Sequence, residues 1–266
     1  MIKLLDIGNL TKDDIYNIWR ISSEGKTEHV QANIAWSFEG NGIRTRTTFL
    51  QAFKNLGISY VELPNFLKTG ESVKDLAGYM DSFYSMYIIR ENKHSNLAEF
   101  SKFTSKPVIN AMSSEAHPCE VLADACYLNS KYESIRNIKI LLWGPTTNVF
   151  KSWHSLANVL GLNITQFCPK SFHELKSEVT FTDYICGECD VVITDSWPSE
   201  FSDNNYSLSL STLAKLGNPE LLPTPPVTVG KEVLFELSEY ARFSGYSQKK
   251  HLLTVQQALI FYMLKS

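Results

Sequence analysis

Apolar and polar positions along this chain fall into two alternating patterns. Short runs rich in β-branched and aromatic residues read as strands, and longer stretches with apolar residues three and four apart read as helices. Met1–Leu5 is a short strand or extended lead-in. Thr11-Lys12-Asp13-Asp14 caps a helix reaching about Ser22, with acids in its first turn. Asn33–Phe38 is a strand, Arg46–Leu56 a helix stopped by Gly57, and Ser59–Leu63 a strand. A polar loop over Lys68–Glu71 leads to a helix over Ser72–Tyr84, with Leu76, Met80 and Phe83 on one side. Met86–Ile89 is a strand ending in Arg90, Leu97–Thr104 a helix, and Pro107–Ala111 a strand. A helix around Leu122–Lys131 leads to a second series. Asn137–Trp143 is a continuous apolar strand, followed by a helix over 147–160 and a strand over Asn163–Cys168. A helix over Phe172–Val179, a strand over Asp190–Asp195 and a short helix over Leu210–Leu216 come next. Pro223-Thr224-Pro225-Pro226 is a rigid turn, and a last helix runs from about Gln248 to Leu264.

Repeated strand–helix alternation predicts parallel sheets covered on both faces. The expected class is α/β, with two Rossmann-like doubly wound parallel-sheet domains and an active-site cleft between them. Residues 1–130 form the first domain and 131–245 the second. The last helix, within 246–266, packs back on the first.

Composition narrows the function classes. With 266 residues, 44% hydrophobic and 20% charged, the chain reads as an ordinary soluble protein. A net charge of −3 gives no reason to expect nucleic acid or an anionic membrane as partner. No apolar run approaches the roughly 20 residues needed to span a bilayer. The first residues carry acids and no signal-peptide pattern, so a cytoplasmic location is expected. Five cysteines, an odd number, argue against a disulfide framework. Cys186-Gly187-Glu188-Cys189 has no second pair to complete a metal site and precedes a strand instead of opening a helix, so it reads as coincidence. Gly144-Pro145-Thr146-Thr147-Asn148 stands in place of a dinucleotide fingerprint, with a proline where backbone N–H groups are needed. No metal or cofactor is expected.

The chemistry concentrates at Phe38-Glu39-Gly40-Asn41-Gly42-Ile43-Arg44-Thr45-Arg46-Thr47-Thr48. A strand breaks into a glycine-rich turn, and a helix opens with arginine and threonine. The first N–H groups of a helix lack internal partners, and its dipole favours an anion there. Arg44 adds a bidentate fork, and Thr45, Thr47 and Thr48 offer hydroxyls. Further on comes His117-Pro118-Cys119-Glu120-Val121-Leu122-Ala123-Asp124. In open α/β sheets, ligands bind beyond the carboxyl ends of strands. Arg44, Thr45, Arg90, His117, Asn148 and Asp195 all fall there. Two arginines, a histidine and a helix start suit a small dianion, and Asp195 suits an amino-bearing co-substrate.

Together these segments closely resemble the aspartate/ornithine carbamoyltransferase family, whose motifs are F-x-x-x-S-T-R-T-R and H-P-x-Q-x-L-A-D. The resemblance runs over nearly the whole chain. It includes Gly70-Glu71-Ser72 with Asp75, the strand ending in Arg90, Pro107-Val108-Ile109-Asn110, and Asp190 to Trp197. It implies transfer of the carbamoyl group of carbamoyl phosphate to an amine or amino acid. Arg44, Thr45, Arg90 and His117 carry over as catalytic residues. Gly42, Ile43, Glu120, Asn148, Asp195, Pro223, Thr224 and Lys68 carry over as substrate-binding positions. The Pro223-Thr224-Pro225 backbone stands where family carbonyls accept from the carbamoyl NH2. Lys68 lies in a loop resembling one that reaches a neighbouring subunit's site, which implies a homotrimer with shared active sites.

The departures are specific. Gly42 and Ile43 replace Ser and Thr, so two phosphate-binding side chains are gone. Glu120 replaces a glutamine, and an ionised carboxylate 4 Å from phosphate would repel it by about 1–4 kcal/mol. Pro198-Ser199-Glu200 replaces the ornithine-type S-M-G. An acceptor other than ornithine is expected. A catalytically inactive anion-binding relative, or a transferase using a different donor, stays open as an alternative.

Overall fold

The alternation seen in the sequence is built in a computed structural model that describes every residue except Lys26, Leu175, Lys176, Glu178 and Cys186. The chain runs β1 (Lys3–Leu4), α1 (Lys12–Glu24), β2 (Asn33–Phe38), α2 (Ile43–Leu56), β3 (Ser59–Glu62), α3 (Val73–Met80), β4 (Met86–Arg90), α4 (His94–Phe103), β5 (Val108–Met112) and α5 (Pro118–Lys131). It continues β6 (Ile140–Trp143), α6 (Asn148–Leu160), β7 (Ile164–Phe167), β8 (Thr180–Thr182), β9 (Val191–Thr194), α7 (Leu210–Lys215), β10 (Glu220–Pro223), α8 (Gly245–Gln248) and α9 (Lys250–Lys265). Two compact units result: Met1–Cys126 with Lys250–Ser266, and Tyr127–Lys249. Each holds one five-stranded sheet, ordered β1-β5-β4-β2-β3 and β10-β9-β6-β7-β8, and every pairing is parallel.

In the first unit the period-2 alternation of β2 divides its residues between two helical layers. Trp36 is fully buried and faces α2, with its ring centroid 5.4 Å from Phe49 and 5.6 Å from Phe53. Ala35, Tyr87 and Ile89 join the opposite layer with Leu76 and Ala77 of α3 and Leu97 and Phe100 of α4. Helix α9 packs on α1 and α2. Local signals set the helix ends. The Thr11 hydroxyl accepts from Asp14 N at 3.2 Å, and the Asp14 carboxylate accepts from Thr11 N at 2.8 Å. Gly57 closes α2 at φ 65°, a left-handed conformation that favours glycine.

The second unit departs from expectation at two edges. Instead of a helix over 172–179, the described residues show a short 3₁₀ turn at Lys170–Phe172, with His173 extended at φ −71° and ψ 134°. Leu175, Lys176 and Glu178 lie outside the described residues. Aromatic contacts override local preference here: Phe172 packs edge-on against Phe201 at 5.3 Å, and His173 lies 5.5 Å from Phe181. Thr180–Thr182 instead adds β8 beside β7. Strand β10, also unforeseen, pairs with β9 at the other edge. Its terminal Pro223 is tolerated because an edge strand leaves one row of N–H positions unpaired.

Each unit contains a deeply hydrogen-bonded carboxylate. Glu220 is 1% exposed and accepts from Tyr127 Oη at 2.6 Å, Tyr132 Oη at 2.8 Å and Lys131 Nζ at 2.7 Å. Burial alone would raise its pKa, but hydrogen bonds from Lys131, Ser244, Tyr127 and Tyr132 hold it below the usual carboxylate value. In the first unit, Asp81 accepts from Tyr87 Oη at 2.9 Å, Thr104 Oγ1 at 2.6 Å and Ser105 N at 2.6 Å. Burial pushes its carboxyl up as well, and the hydrogen bonds from Thr104, Ser105 and Tyr87 bring it below its ordinary value. Both groups bind protons more weakly folded than unfolded. Their stabilisation is therefore complete above the unfolded carboxylate pKa, about 4, and is lost as pH falls through the lower folded values. Thermal unfolding followed from neutral pH into acid should show a steep loss beginning near pH 4–5, and Glu220→Gln should flatten it. An unchanged acid limb in that variant would exclude Glu220 as a source.

Candidate functional site

Strand β2 delivers the anion turn. After Phe38 the chain turns through 39–42, and Gly42 forms the N-cap of α2 with no side-chain capping hydrogen bond. The opening amides of α2 therefore have no side-chain cap at Gly42. Ile43 is 71% exposed and Arg44 is exposed, whereas Thr45 is 5% exposed. The Thr47 hydroxyl donates back to Ile43 O at 2.7 Å, and Thr48 to Arg44 O at 3.1 Å. These two hydroxyls, expected as anion donors, serve the helix instead. Arg46 pairs with Glu62 at 2.8 Å.

Arg90 ends β4, the strand between β5 and β2. The β4–β5 register shifts at Ile89/Arg90: Ile89 pairs with Asn110 and Arg90 with Met112. The extra residue is Ala111 of β5, opposite the step from Ile89 to Arg90. The Arg90 guanidinium lies over the Phe38 ring, 5.0 Å from its centroid, against Gly42. Burial lowers its pKa, and the neighbouring Glu39 charge works against that. Glu39 accepts from Asn92 N at 2.9 Å and from Lys68 Nζ. These bonds, that to Asn92 first, hold its carboxyl below its usual value. Lys68 thus sits at the anion turn of its own chain.

The loop from β5 to α5 places His117. Ser113 N donates to Ala116 O at 2.9 Å, and the Asn110 amide donates to Leu5 O at 2.8 Å and to Ser113 Oγ at 3.1 Å. His117, 7% exposed, precedes Pro118, the first residue of α5, and Glu120 follows at 6% exposure. Burial pushes the Cys119 thiol well above its ordinary value, so it is no nucleophile at neutral pH.

In the second unit the expected residues follow β6, β9 and β10. Thr147 caps α6 by accepting from Phe150 N at 3.2 Å, which makes Asn148 the first helical residue. Asp195 follows β9, is 7% exposed and accepts from Ser196 N at 2.8 Å. Pro223 ends β10, and Thr224 N donates to Thr194 O at 2.7 Å. The Thr224 hydroxyl is buried without a hydrogen-bond partner among the described residues. Trp197 is fixed by its backbone and its ring. Its backbone N–H donates to Glu232 Oε1 at 2.9 Å, while Glu232 Oε2 accepts from Thr228 N at 2.9 Å, and its ring packs edge-on against Phe201 at 4.8 Å. Its indole lies so near Gly144, at φ 127°, that a Cβ there would meet Nε1 at 3.0 Å.

The structure therefore gathers Gly42, Ile43, Arg44, Thr45, Arg90 and His117 at the carboxyl ends of the adjacent strands β2, β4 and β5. Asn148, Asp195, Pro223 and Thr224 share the same end of the second sheet. Phe38, the platform under Arg90, and Glu39, the partner of Lys68, were missed as functional residues. Both open the anion motif, and that position was the available signal. Glu232 left no sequence signal, because its partners lie in other loops. The C-x-x-C segment is not testable as a pair, since Cys186 lies outside the described residues. Among the described residues no cluster of His, Cys, Asp and Glu suits a metal, and no helix is long and apolar enough to cross a membrane.

Comparison with known proteins agrees with this layout. The family description "Aspartate/ornithine carbamoyltransferase, carbamoyl-P binding domain" matches residues 3–130. An ornithine carbamoyltransferase of Methanococcus vannielii is 29% identical, over 98% of this chain and 99% of that protein. The solved anabolic ornithine carbamoyltransferase of Campylobacter jejuni superposes with TM-score 0.86 at 25% identity, covering 99% of both chains. That of Thermus thermophilus gives 0.89 at 22% identity, again over 99% of both. Motif, topology and overall likeness agree: residues 3–130 match the carbamoyl-phosphate-binding domain of the aspartate/ornithine carbamoyltransferase family, and the chain is similar over nearly its whole length to ornithine carbamoyltransferases.

Proposed function

We propose that this protein transfers the carbamoyl group of carbamoyl phosphate to an amine or amino-acid acceptor other than ornithine. The observation that carries the reading is the basic site at the start of α2. There the Arg90 guanidinium lies against Gly42 beside buried Thr45 and exposed Arg44. The uncharged amine attacks the carbamoyl carbon, and negative charge builds on the carbonyl oxygen. The C–O bond then breaks, phosphate leaves and the nitrogen loses a proton. His117, Arg90 and Thr45 donate to the developing oxyanion, and Arg44 with the α2 amides holds the phosphate. The Pro223 and Thr224 carbonyls accept from the carbamoyl NH2, Asp195 holds an amino group of the acceptor, and Asn148 lines its site.

The altered acceptor segment, Pro198-Ser199-Glu200 after Trp197, supports a non-ornithine substrate. Phosphate release measured with carbamoyl phosphate against a panel of amines, diamines and amino acids tests this. No acceptor above background, together with no effect of Arg44→Ala, would sink the reading. Ornithine as the best acceptor would remove the specificity half alone. A homotrimer in which Lys68 exchanges Glu39 for a neighbour's substrate fits edge strand β3, whose four residues are all exposed. Sedimentation that reads a monomer at working concentration removes it.

Glu120 favours a second reading, because a buried carboxylate one helical turn from His117 opposes an anionic donor. On that reading the protein binds anions without turnover, or uses another donor. Calorimetry decides: carbamoyl phosphate bound with no turnover supports the first, and a donor preference changed by Glu120→Gln supports the second.

A further inference from the structure

The loop Gly144-Pro145-Thr146-Thr147-Asn148, between β6 and α6, is held from within the core by a buried amide. Gln166 lies on β7, the neighbour of β6, and is 0% exposed. Its Nε2 donates to Gly144 O at 2.9 Å and to Thr146 Oγ1 at 3.2 Å. Both N–H groups are thus engaged by the loop, and Oε1 is left to accept. Oε1 lies 2.7 Å from Nε2 of His154, a residue of α6 that is 9% exposed. An amide oxygen cannot donate, so His154 Nε2 carries the proton and fixes which way the Gln166 amide faces. Burial lowers the His154 pKa against the pull of that bond, so the ring is neutral at neutral pH. The ring itself rests edge-on against Phe181 at 5.8 Å.

This clamp reaches the ligand end of the second unit. The Gly144 N–H donates to Phe167 O at 2.9 Å, its carbonyl accepts from Gln166, and a Cβ there would meet the Trp197 indole at 3.0 Å. At the far end of the loop Thr147 caps α6, which fixes Asn148 as the first helical residue. Asp195 follows β9, which pairs with β6 on its other edge. Two apolar side chains would satisfy packing between α6 and β7. An amide and an imidazole are needed only where the carbonyl and hydroxyl of the loop must be held in place.

We infer that Gln166 is a positioning residue for the acceptor, with His154 as the group that orients it. The pair sets the wall made by the loop 144–148 and Trp197, and neither member reaches the substrate. This rests on the carbamoyl transfer reading above and deepens it.

The test compares Gln166→Leu, His154→Leu, His154→Gln and the double variant Gln166→Leu/His154→Leu. With the best acceptor of the amine panel, Gln166→Leu and His154→Leu should each raise the acceptor KM about tenfold or more, because the loop loses its donor or the amide its orientation. Inorganic phosphate binding, read by calorimetry, should change less than about twofold, because the anion site belongs to the other unit. His154→Gln keeps an N–H donor and should hold KM within about threefold of the wild type. The double variant should melt above Gln166→Leu, since the orphaned His154 N–H is gone as well, yet keep the raised KM. An unchanged acceptor KM in both single variants overturns the inference. So does phosphate affinity that falls in step with KM, or a double variant whose KM recovers with its melting temperature. His154→Gln behaving as His154→Leu overturns the orienting role. If Gln166→Leu does not fold, the two His154 variants carry the same comparison. A wild type that transfers to no amine overturns the carbamoyl transfer reading instead. The clamp is then read from the Trp197 indole ¹⁵N–¹H signal, assigned with Trp197→Phe: it should move in Gln166→Leu and His154→Leu, and an unmoved signal overturns the inference.

Discussion

On the proposed carbamoyl transfer, Arg90→Ala should lower turnover with the best acceptor by about 10²–10³-fold while the protein stays folded, the loss typical of one oxyanion donor. Two features make the effect large. The Phe38 ring supports its head, and half-burial partly desolvates it, so the charge is less screened than on an open surface. Arg90 makes no structural ion pair among the described residues, so little stability is tied to it. Lysine is a poor replacement, because a point charge cannot stack flat on Phe38 or present two parallel N–H groups. The measurement is kcat and KM for Arg90→Ala and Arg90→Lys, with melting temperatures as control. A loss under tenfold in both would mean that Arg90 touches neither the oxyanion nor the phosphate.

Trp36→Ala destabilises the first unit by about 3–5 kcal/mol, the usual range for an aromatic truncated in a closed core. Trp36 is 0% exposed and touches Phe38, Phe49 and Phe53, so its removal leaves a cavity between β2 and α2 that those rings cannot collapse to fill. Its indole Nε1 is buried without a hydrogen-bond partner among the described residues. Trp36→Phe therefore removes a desolvated donor along with volume, and should cost less than half as much. Urea unfolding at constant m gives both values. Equal costs would mean that the indole N–H does have a partner. The effect reaches the site as well, since Phe38 rests on Trp36 and Arg90 rests on Phe38.

Local rules carried most of the architecture. Strands β2, β4, β5, β6, β7 and β9 were legible because buried parallel strands are predominantly apolar, and such runs need no knowledge of their neighbours. The Thr11 capping box and the Gly57 stop were legible for the same reason: their partners lie within four residues. Strands β8 and β10 were not. Thr-Phe-Thr and Glu-Leu-Leu-Pro have no distinctive period, and Glu220 is buried only because Tyr127 and Tyr132, far away in sequence, satisfy it. At the described positions His173, Glu174, Ser177 and Val179 the expected helix is not formed, where ring contacts with Phe181 and Phe201 outweigh propensity.

The amino-acid order by itself determined the class of fold, the helix start that suits an anion, and the set of basic and hydroxyl residues at strand ends. Those follow from backbone chemistry and period, which act over a few residues. Tertiary structure alone decided which groups are available to a ligand. It turned the Thr47 and Thr48 hydroxyls onto their own helix, drew Lys68 to Glu39, and gave the Gln166 amide to the loop after β6. A polar side chain read along the chain is a free donor. Packed in three dimensions it is already engaged, because a hydrogen bond depends on neighbours in space and not on neighbours in sequence.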